Sequence, residues 1–225
     1  MNLIHVVTPT YKRCVKIKEM SQYLSNQVDG KGLPFINFVW YVISDGEAEE
    51  DTAMFIFSTT APIGLYPPIY YHTDSKGVSG CGNEQRKWML DTAQKNMVKG
   101  IHRRDFNIGF DETDLLYYLN DDNVLNKEAL YQLSKPLWDN DKLDWSYGKV
   151  KQYVHQHYLT TIPRWLDKVP TETDICHLNY MTRLNNAIKI GIKSEKYQAD
   201  YDFINEYNGR WNNKYFVDYL VGIQR

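Results

Sequence analysis

Leu115-Leu116-Tyr117-Tyr118-Leu119-Asn120-Asp121-Asp122-Asn123 is an apolar run that stops abruptly at two adjacent carboxylates with an amide on each side. Bulky apolar residues bounded by polar ones predict a buried strand. In α/β proteins, ligands gather outside the carboxyl edge of the sheet, which is where Asp121 and Asp122 would sit. Two neighbouring acids repel, and burial raises the cost of charging both. A divalent cation relieves that repulsion, and hard oxygen ligands suit magnesium or manganese. The same letters also describe a strand followed by an ordinary Asp-Asn turn. The rest of the chain has to decide between the two readings.

Composition narrows the field. A chain of 225 residues can bury a good core, and a single domain over residues 1–225 is the expectation. The formal net charge of −2 gives no basic field for nucleic acid or an anionic membrane. Cys14, Cys81 and Cys176 are widely spaced and odd in number, which is neither a disulfide framework nor a zinc pattern and fits a reducing compartment. No apolar run approaches the roughly 20 residues that span a bilayer. The opening stretch, residues 1–7, is too short for a signal peptide and has no basic flank. The 18 tyrosines and 6 tryptophans serve either as binding platforms or as core and groove fillers.

Working outward, residues 3–7 form a β-branched run that predicts a central parallel strand, broken by the turn Thr8-Pro9-Thr10-Tyr11-Lys12-Arg13. Val15, Ile17, Met20 and Leu24 are spaced for an amphipathic helix over residues 14–28. Residues 36–43 predict a second strand ending at Ser44-Asp45-Gly46, which completes a βαβ unit. No GxGxxG follows the first strand, so a dinucleotide fold of the oxidoreductase type is not expected. Residues 54–57 suit helix or strand equally, and residues 69–72 predict a short third strand. A loop with Gly77, Gly80 and Gly82 leads into a helix starting at Asn83, with Arg86 in its first turn; this favours a diphosphate, or else is a flexible loop before a solvated helix. Asn126 is a candidate cap for a helix to Leu137, with Leu130, Leu133 and Leu137 on one face. Residues 143–154 predict one or two strands, and residues 158–169 an irregular segment. A helix is expected over residues 179–190, ending at Gly191, and another from about residue 197. Phe216, Tyr219, Leu220 and Ile223 fall at near-helical spacing, a packed terminal element or a lid.

Three blocks in this order and spacing carry a resemblance: His5-Val6-Val7-Thr8-Pro9-Thr10-Tyr11-Lys12-Arg13, Gly82-Asn83-Glu84-Gln85-Arg86 and Tyr118-Leu119-Asn120-Asp121-Asp122-Asn123. Together they resemble the GT-A glycosyltransferases, most closely the inverting β-1,3-glucuronyltransferase family. Tyr41-Val42-Ile43-Ser44-Asp45 and Tyr197-Gln198 follow the same pattern. The likeness covers about residues 1–135 well and the remainder loosely. It implies an α/β GT-A fold with a mostly parallel central sheet flanked by helices. About residues 1–125 would bind the nucleotide and residues 126–225 the acceptor. It also implies a UDP-sugar donor, a glycan or other hydroxyl acceptor, Mn2+ or Mg2+, and single-displacement transfer with inversion.

Position by position, the resemblance implies that Tyr11 stacks on the uracil while Thr8 and Pro9 shape the backbone beside it. Asp45 would bind the base, Arg86 would lie near the diphosphate or donor sugar, Asp121 would hold the ribose and Asp122 would ligate the metal. Arg13, Arg86 and Arg164 are the cations available to a donor carboxylate. Three positions depart from the family: Asn120 replaces an acid, Ala199 stands where the family has its catalytic Glu, and no histidine follows His177. Asp200 is the leading candidate base, Asp202 the second, with helix capping as the alternative role. Asp174 is a weaker candidate for acceptor contact. His177 reads as a core or surface histidine rather than a ligand. A cytoplasmic enzyme is expected, since no membrane anchor of the kind in the family's animal members is visible. Two other classes remain open: a nucleotidyltransferase with a strand-end carboxylate pair, and a non-catalytic nucleotide-sugar or glycan-binding domain.

Overall fold

The apolar runs alternate their side chains across one sheet. Ile4, Val6, Phe38, Trp40, Val42, Leu115 and Tyr117 fall in one buried cluster, and Leu3, Val7, Val39, Tyr41, Ile43, Leu116 and Tyr118 in another. Strands buried on both faces must be apolar throughout, which is why these segments read as continuous rather than alternating runs. The protein is represented by a computed structural model that describes residues 2–45, 49–73, 82–98, 110–154, 157–163, 176–192, 199–210 and 213–224.

The chain runs β1 (Ile4–Thr10), α1 (Cys14–Ser25), β2 (Phe38–Ser44), α2 (Glu50–Ser58), β3 (Ile69–His72), α3 (Asn83–Val98), β4 (Leu115–Tyr118) and β5 (Val124–Leu125). It continues through α4 (Ala129–Asp139), β6 (Trp145–Val154), β7 (His157–Ile162), a 3-10 turn (His177–Asn179), β8 (Tyr180–Arg183), α5 (Leu184–Ile190), α6 (Ala199–Arg210) and β9 (Lys214–Gln224). Among the described residues the sheet has nine strands, in the order β3-β2-β1-β4-β8-β6-β9-β5, with β7 paired to β6. From β3 to β4 it is wholly parallel, as the βαβ reading requires. Beyond β4 it is mixed: β8 pairs antiparallel with β4 and β6, while β9 runs parallel to β6 and antiparallel to β5. The chain is thus a mixed α/β sheet flanked by helices, parallel in the half that carries the acidic strand end. One face is covered by α1, α2 and α4 through Ile17, Met20, Leu24, Ile56, Leu130, Leu133 and Leu137. The other is covered by α3, α5 and α6 through Met89, Leu90, Leu184, Ala187, Phe203 and Tyr207. Among the described residues, no helix is long and apolar enough to cross a membrane.

The sheet's second half departs from the sequence expectations, in each case because pairing overrode local pattern. The expected helix over residues 179–190 is split, since Tyr180–Arg183 fills the gap between β4 and β6 as β8 before α5 begins. Residues 158–162 of the expected irregular segment return along β6 within β7, whereas its residues 164–169 lie outside the described part. The terminal element is β9, a strand rather than a helix. Its register against β6 shifts between Gly148 and Lys149 and again between Lys149 and Val150. Extra residues inserted by such bulges spread the apolar positions and mimic a helical period. Val15 is 69% exposed and off the buried face of α1, and Asn126 does not cap α4, which starts at Ala129; its side-chain amide instead donates to the Leu220 carbonyl.

A buried polar network fixes where β1, β2 and β4 start. Asp114 Oδ1 accepts the Leu3 amide and Oδ2 the Asp111 amide, both at 2.9 Å. His5 joins Asp114 Oδ2 at 2.9 Å and the Tyr41 hydroxyl at 3.0 Å through its two ring nitrogens. His5 and Asp114 are fully buried, so the bonds between them take the place of bonds to water. Asp114→Ala should therefore cost about 3 kcal/mol of stability, the range for breaking a buried network. Urea denaturation monitored by tryptophan fluorescence measures it; an unshifted midpoint would refute the assignment.

Candidate active site at the carboxyl edge of the sheet

The turn after β1, the end of β2 and the end of β4 meet because these strands are neighbours in register: Val7 lies beside both Tyr41 and Tyr118. Further contacts lock their tips. The Asp45 amide donates to the Thr10 carbonyl at 2.9 Å, and the Leu119 amide to the Val7 carbonyl at 3.0 Å. Gly82 adopts a φ of +70°, and a β-carbon there would come within 2.5 Å of Pro9 Cβ. Glycine is required for both reasons, and it docks the start of α3 against the end of β1. Gln85 Nε2 donates to Thr73 Oγ1 at 3.1 Å, and the Thr73 amide to the Ser44 carbonyl at 3.0 Å, tying the same helix turn to β2 and β3.

At the centre is Asp121, only 6% exposed. Thr10 Oγ1 donates to its Oδ2 at 2.9 Å and Arg13 Nη1 to its Oδ1 at 2.9 Å. Arg13 Nη1 lies 3.7 Å from Asp122 Oδ2, so one guanidinium faces both acids. Burial pushes the Asp121 carboxyl above its ordinary value, opposed by the Arg13 charge and the Thr10 hydrogen bond. The Arg13 pKa is raised, chiefly by Asp121. Asp122 differs from its neighbour in being 43% exposed on its side chain, which leaves its carboxylate open to a ligand.

Arg86, 2% exposed, lies over the Tyr118 ring at 5.6 Å. It donates from Nη1 to Asn83 Oδ1 and from Nη2 to Asn120 Oδ1, both at 2.6 Å. Asn120 thus orients a guanidinium at the helix start with an uncharged acceptor. Aromatic contacts continue from there: Tyr118 to His177 at 5.1 Å, His177 to Tyr180 at 5.7 Å, and Tyr180 to Phe203 at 6.3 Å. Phe203 belongs to α6, so this chain of rings connects the Arg86 corner to the helix that begins at Ala199.

The structure therefore brings Pro9, Tyr11, Arg13, Asp45, Arg86, Asn120, Asp121 and Asp122 to one edge. Tyr11 is 52% exposed. Thr8 contributes its backbone alone: its side chain is fully buried, and Trp40 Nε1 donates to its hydroxyl at 2.9 Å. Asp200 lies in the first turn of α6 but its side chain is outside the described residues; Asp202, on the same helix, is exposed. Asp174 and Arg164 also lie outside the described residues. His177 is buried and bonded to the Tyr180 hydroxyl at 2.7 Å, a core position. Sequence reasoning overlooked Thr10, Thr73 and Gln85. Thr10 and Gln85 lie inside the quoted blocks, but only the pairing of strands shows what their side chains bind.

Among the described residues, no group of three His, Cys, Asp or Glu side chains is placed to hold a metal. The residues present do fit a magnesium-like or manganese-like ion that takes one or two protein carboxylates and completes its shell with phosphate oxygens and water. Asp122, half-exposed beside a buried acid that already accepts from Thr10 and Arg13, is the group that would hold it. A cavity of about 230 Å³ between residues 29–37 and α4, lined by Phe35, Tyr131 and Trp138 among others, contains none of these residues and precedes the amino end of β2.

By sequence the chain matches no protein family and no curated protein. By structure it is similar to a mannosyltransferase from Pyrobaculum calidifontis in complex with GDP-Man and Mn2+, with a TM-score of 0.63 and 11% identity over 98% of this chain. It spans 56% of that mannosyltransferase. Glucosyl-3-phosphoglycerate synthase from Mycobacterium tuberculosis aligns over 100% of this chain and 72% of its own, with a TM-score of 0.58 and 13% identity. A CMP:2-keto-3-deoxy-manno-octonic acid synthetase complexed with CTP aligns over 98% and 91%, with a TM-score of 0.52 and 11% identity. The fold is that of the GT-A nucleotide-sugar transferases.

The raised Asp121 pKa has a sign that can be tested. Folding favours its protonated form, so its contribution to stability is complete below the unfolded value of 3.8 and is lost as pH rises through the higher folded value. Asp121→Asn escapes that loss. Its melting temperature relative to wild type should rise from near parity around pH 3 to a few degrees above at about pH 6. A gap that stays constant with pH contradicts the assignment.

Proposed function

We propose that the protein is a metal-dependent glycosyltransferase that moves a sugar from a UDP-sugar to an acceptor hydroxyl with inversion. The observation that carries this reading is the convergence of an exposed ring (Tyr11), a buried acid (Asp121), an open acid (Asp122) and two guanidiniums (Arg13, Arg86) on one strand edge. Tyr11 stacks on the base and Asp45 hydrogen-bonds its edge. Asp121, held rigid by Thr10 and Arg13, accepts the ribose hydroxyls. Pro9, with the Thr8 backbone, shapes the turn under the nucleoside. Asp122 would hold a Mn2+ or Mg2+ ion, which would supply charge stabilisation for the departing diphosphate. Arg86, at the start of α3, adds a fixed positive charge where negative charge grows during transfer. The acceptor oxygen attacks the anomeric carbon as the bond to the diphosphate oxygen breaks; the electron pair leaves with the diphosphate, and Asp200 takes the hydroxyl proton. Asp202 is the second candidate base, and Asp174 a candidate acceptor contact. Residues 1–125 serve the donor and residues 126–225 the acceptor.

Asp122→Ala should abolish manganese-dependent transfer and weaken UDP binding while leaving the melting temperature unchanged. Asp200→Asn should lower kcat by roughly 100- to 10,000-fold and keep donor affinity, as loss of a general base does. Normal turnover by Asp200→Asn would transfer the assignment to Asp202. Isothermal titration with UDP, with and without manganese, is the direct binding test.

The likeness to a CTP-bound synthetase over 91% of that protein supports a second reading, a nucleotidyltransferase. Pyrophosphate release from UTP and a sugar phosphate would favour it over transfer to an alcohol. UDP binding with neither reaction, nor slow donor hydrolysis, would indicate a non-catalytic binding domain.

A further inference from the structure

Glu49 has no part in the nucleotide chemistry described above, yet it reaches across the sheet edge to the Tyr11 turn. Lys12 adopts a φ of +52°, the left-handed region that costs a non-glycine residue roughly 1 kcal/mol. Its amide N–H donates to Glu49 Oε1, 37 residues away in sequence. The carboxylate is itself held on its other side, where Thr52 Oγ1 donates to Oε2 at 2.8 Å, and Ser44 Oγ lies 3.5 Å from Oε1. The Glu49 backbone is fixed separately, its amide donating to the Tyr70 hydroxyl of β3 at 2.9 Å. Glu49 stands at the N-cap of α2, where a side chain ordinarily bonds its own helix's amides, but it makes no such bond. Its carboxylate is committed instead to a turn on another strand. That turn bears directly on Tyr11, because Lys12 follows it and places its ammonium 5.2 Å from the centre of the Tyr11 ring.

We propose that Glu49 is a positioning residue for the nucleoside platform: by accepting the Lys12 amide it holds the left-handed turn that fixes the Tyr11 ring. The proposal rests on the reading of Tyr11 as the ring that stacks on the base. The held turn means that the exposed ring has little freedom to lose when the base arrives, and preorganisation of this kind appears as affinity. It acts on the nucleoside and leaves the transferring sugar untouched.

The test is titration of UDP into wild type, Glu49→Ala, Glu49→Gln, Glu49→Asp, Tyr11→Ala and the double variant Tyr11→Ala/Glu49→Ala, with melting temperatures alongside. Glu49→Ala should raise Kd about tenfold, the size of one lost hydrogen bond to a charged group. Glu49→Gln keeps an acceptor oxygen and should stay within about threefold of wild type, whereas Glu49→Asp, short by one methylene, should approach the alanine value. At saturating donor, kcat should stay within about twofold in all three. In the Tyr11→Ala background the loss of Glu49 should cost nothing further, because the ring it positions is gone. A wild-type Kd for Glu49→Ala, or a full additive loss in the double variant, overturns the proposal while leaving the reading of the site intact. Failure of wild type to bind any uridine nucleotide overturns both. Should Glu49→Ala not fold, the contrast between Glu49→Gln and Glu49→Asp decides alone.

Discussion

The site depends on one buried carboxylate. Asp121 lies three residues beyond a strand whose residues are all buried, and its two oxygens accept from Thr10 Oγ1 and Arg13 Nη1, from the end of β1 and the turn that follows it. Leaving a charge there without those donors would be costly, since burial alone pushes its pKa up. The same pair of bonds clamps the tip of β4 to the tip of β1. Strand pairing below makes the geometry possible, and the clamp above makes it single-valued. Asp122, one residue on, is then carried outward, half-exposed beside the Arg13 charge.

Much of the fold serves to keep that tip in place. On the β1 side, Gly82 lets α3 approach Pro9 closely enough for Arg86 to reach Asn120. On the other side, the chain leaving the acids becomes β5 and is caught by β9. The Asn126 backbone N–H donates to the Val221 carbonyl at 2.8 Å, and Gly222 passes so near Val124 that a β-carbon would collide with its carbonyl oxygen. The last strand of the sheet thus supports the acidic turn from behind. Below, the Asp114–His5–Tyr41 network sets the starting level of β1, β2 and β4, and register carries that alignment up to the edge.

Electrostatics divides the labour between the two arginines. Arg13 is half-exposed and sits between the two acids: its 2.9 Å bond to the buried Asp121 is the clamp, whereas its 3.7 Å approach to the half-exposed Asp122 is a solvated pair of the kind that holds weakly. Arg86 is almost wholly buried, stacked on Tyr118 and oriented by two amides. A guanidinium held that way is a fixed charge, the arrangement that stabilises developing negative charge without reorganisation. Asn120 orients Arg86 as an uncharged acceptor, without adding a third carboxylate beside Asp121 and Asp122.

By itself the sequence determined the parallel half of the sheet and several of the polar residues that stand at its carboxyl edge. Runs such as Phe38–Ser44 and Leu115–Tyr118 must be buried on both faces, and the 3.6-residue spacing of Leu130, Leu133 and Leu137 survives unchanged in α4. The turn residues at the strand ends were legible because polar groups next to buried strands have few other uses. The antiparallel half was not legible. Tyr180–Arg183 and Lys214–Gln224 have no strand pattern of their own, since their side-chain spacing answers to partners on β4, β6 and β5 and to the register shifts that partnership imposes. Long-range hydrogen bonds such as Thr10 to Asp121 and Lys12 to Glu49 leave no local trace either, because nothing in a linear chain records which strand ends become neighbours; only the closing of the sheet decides that.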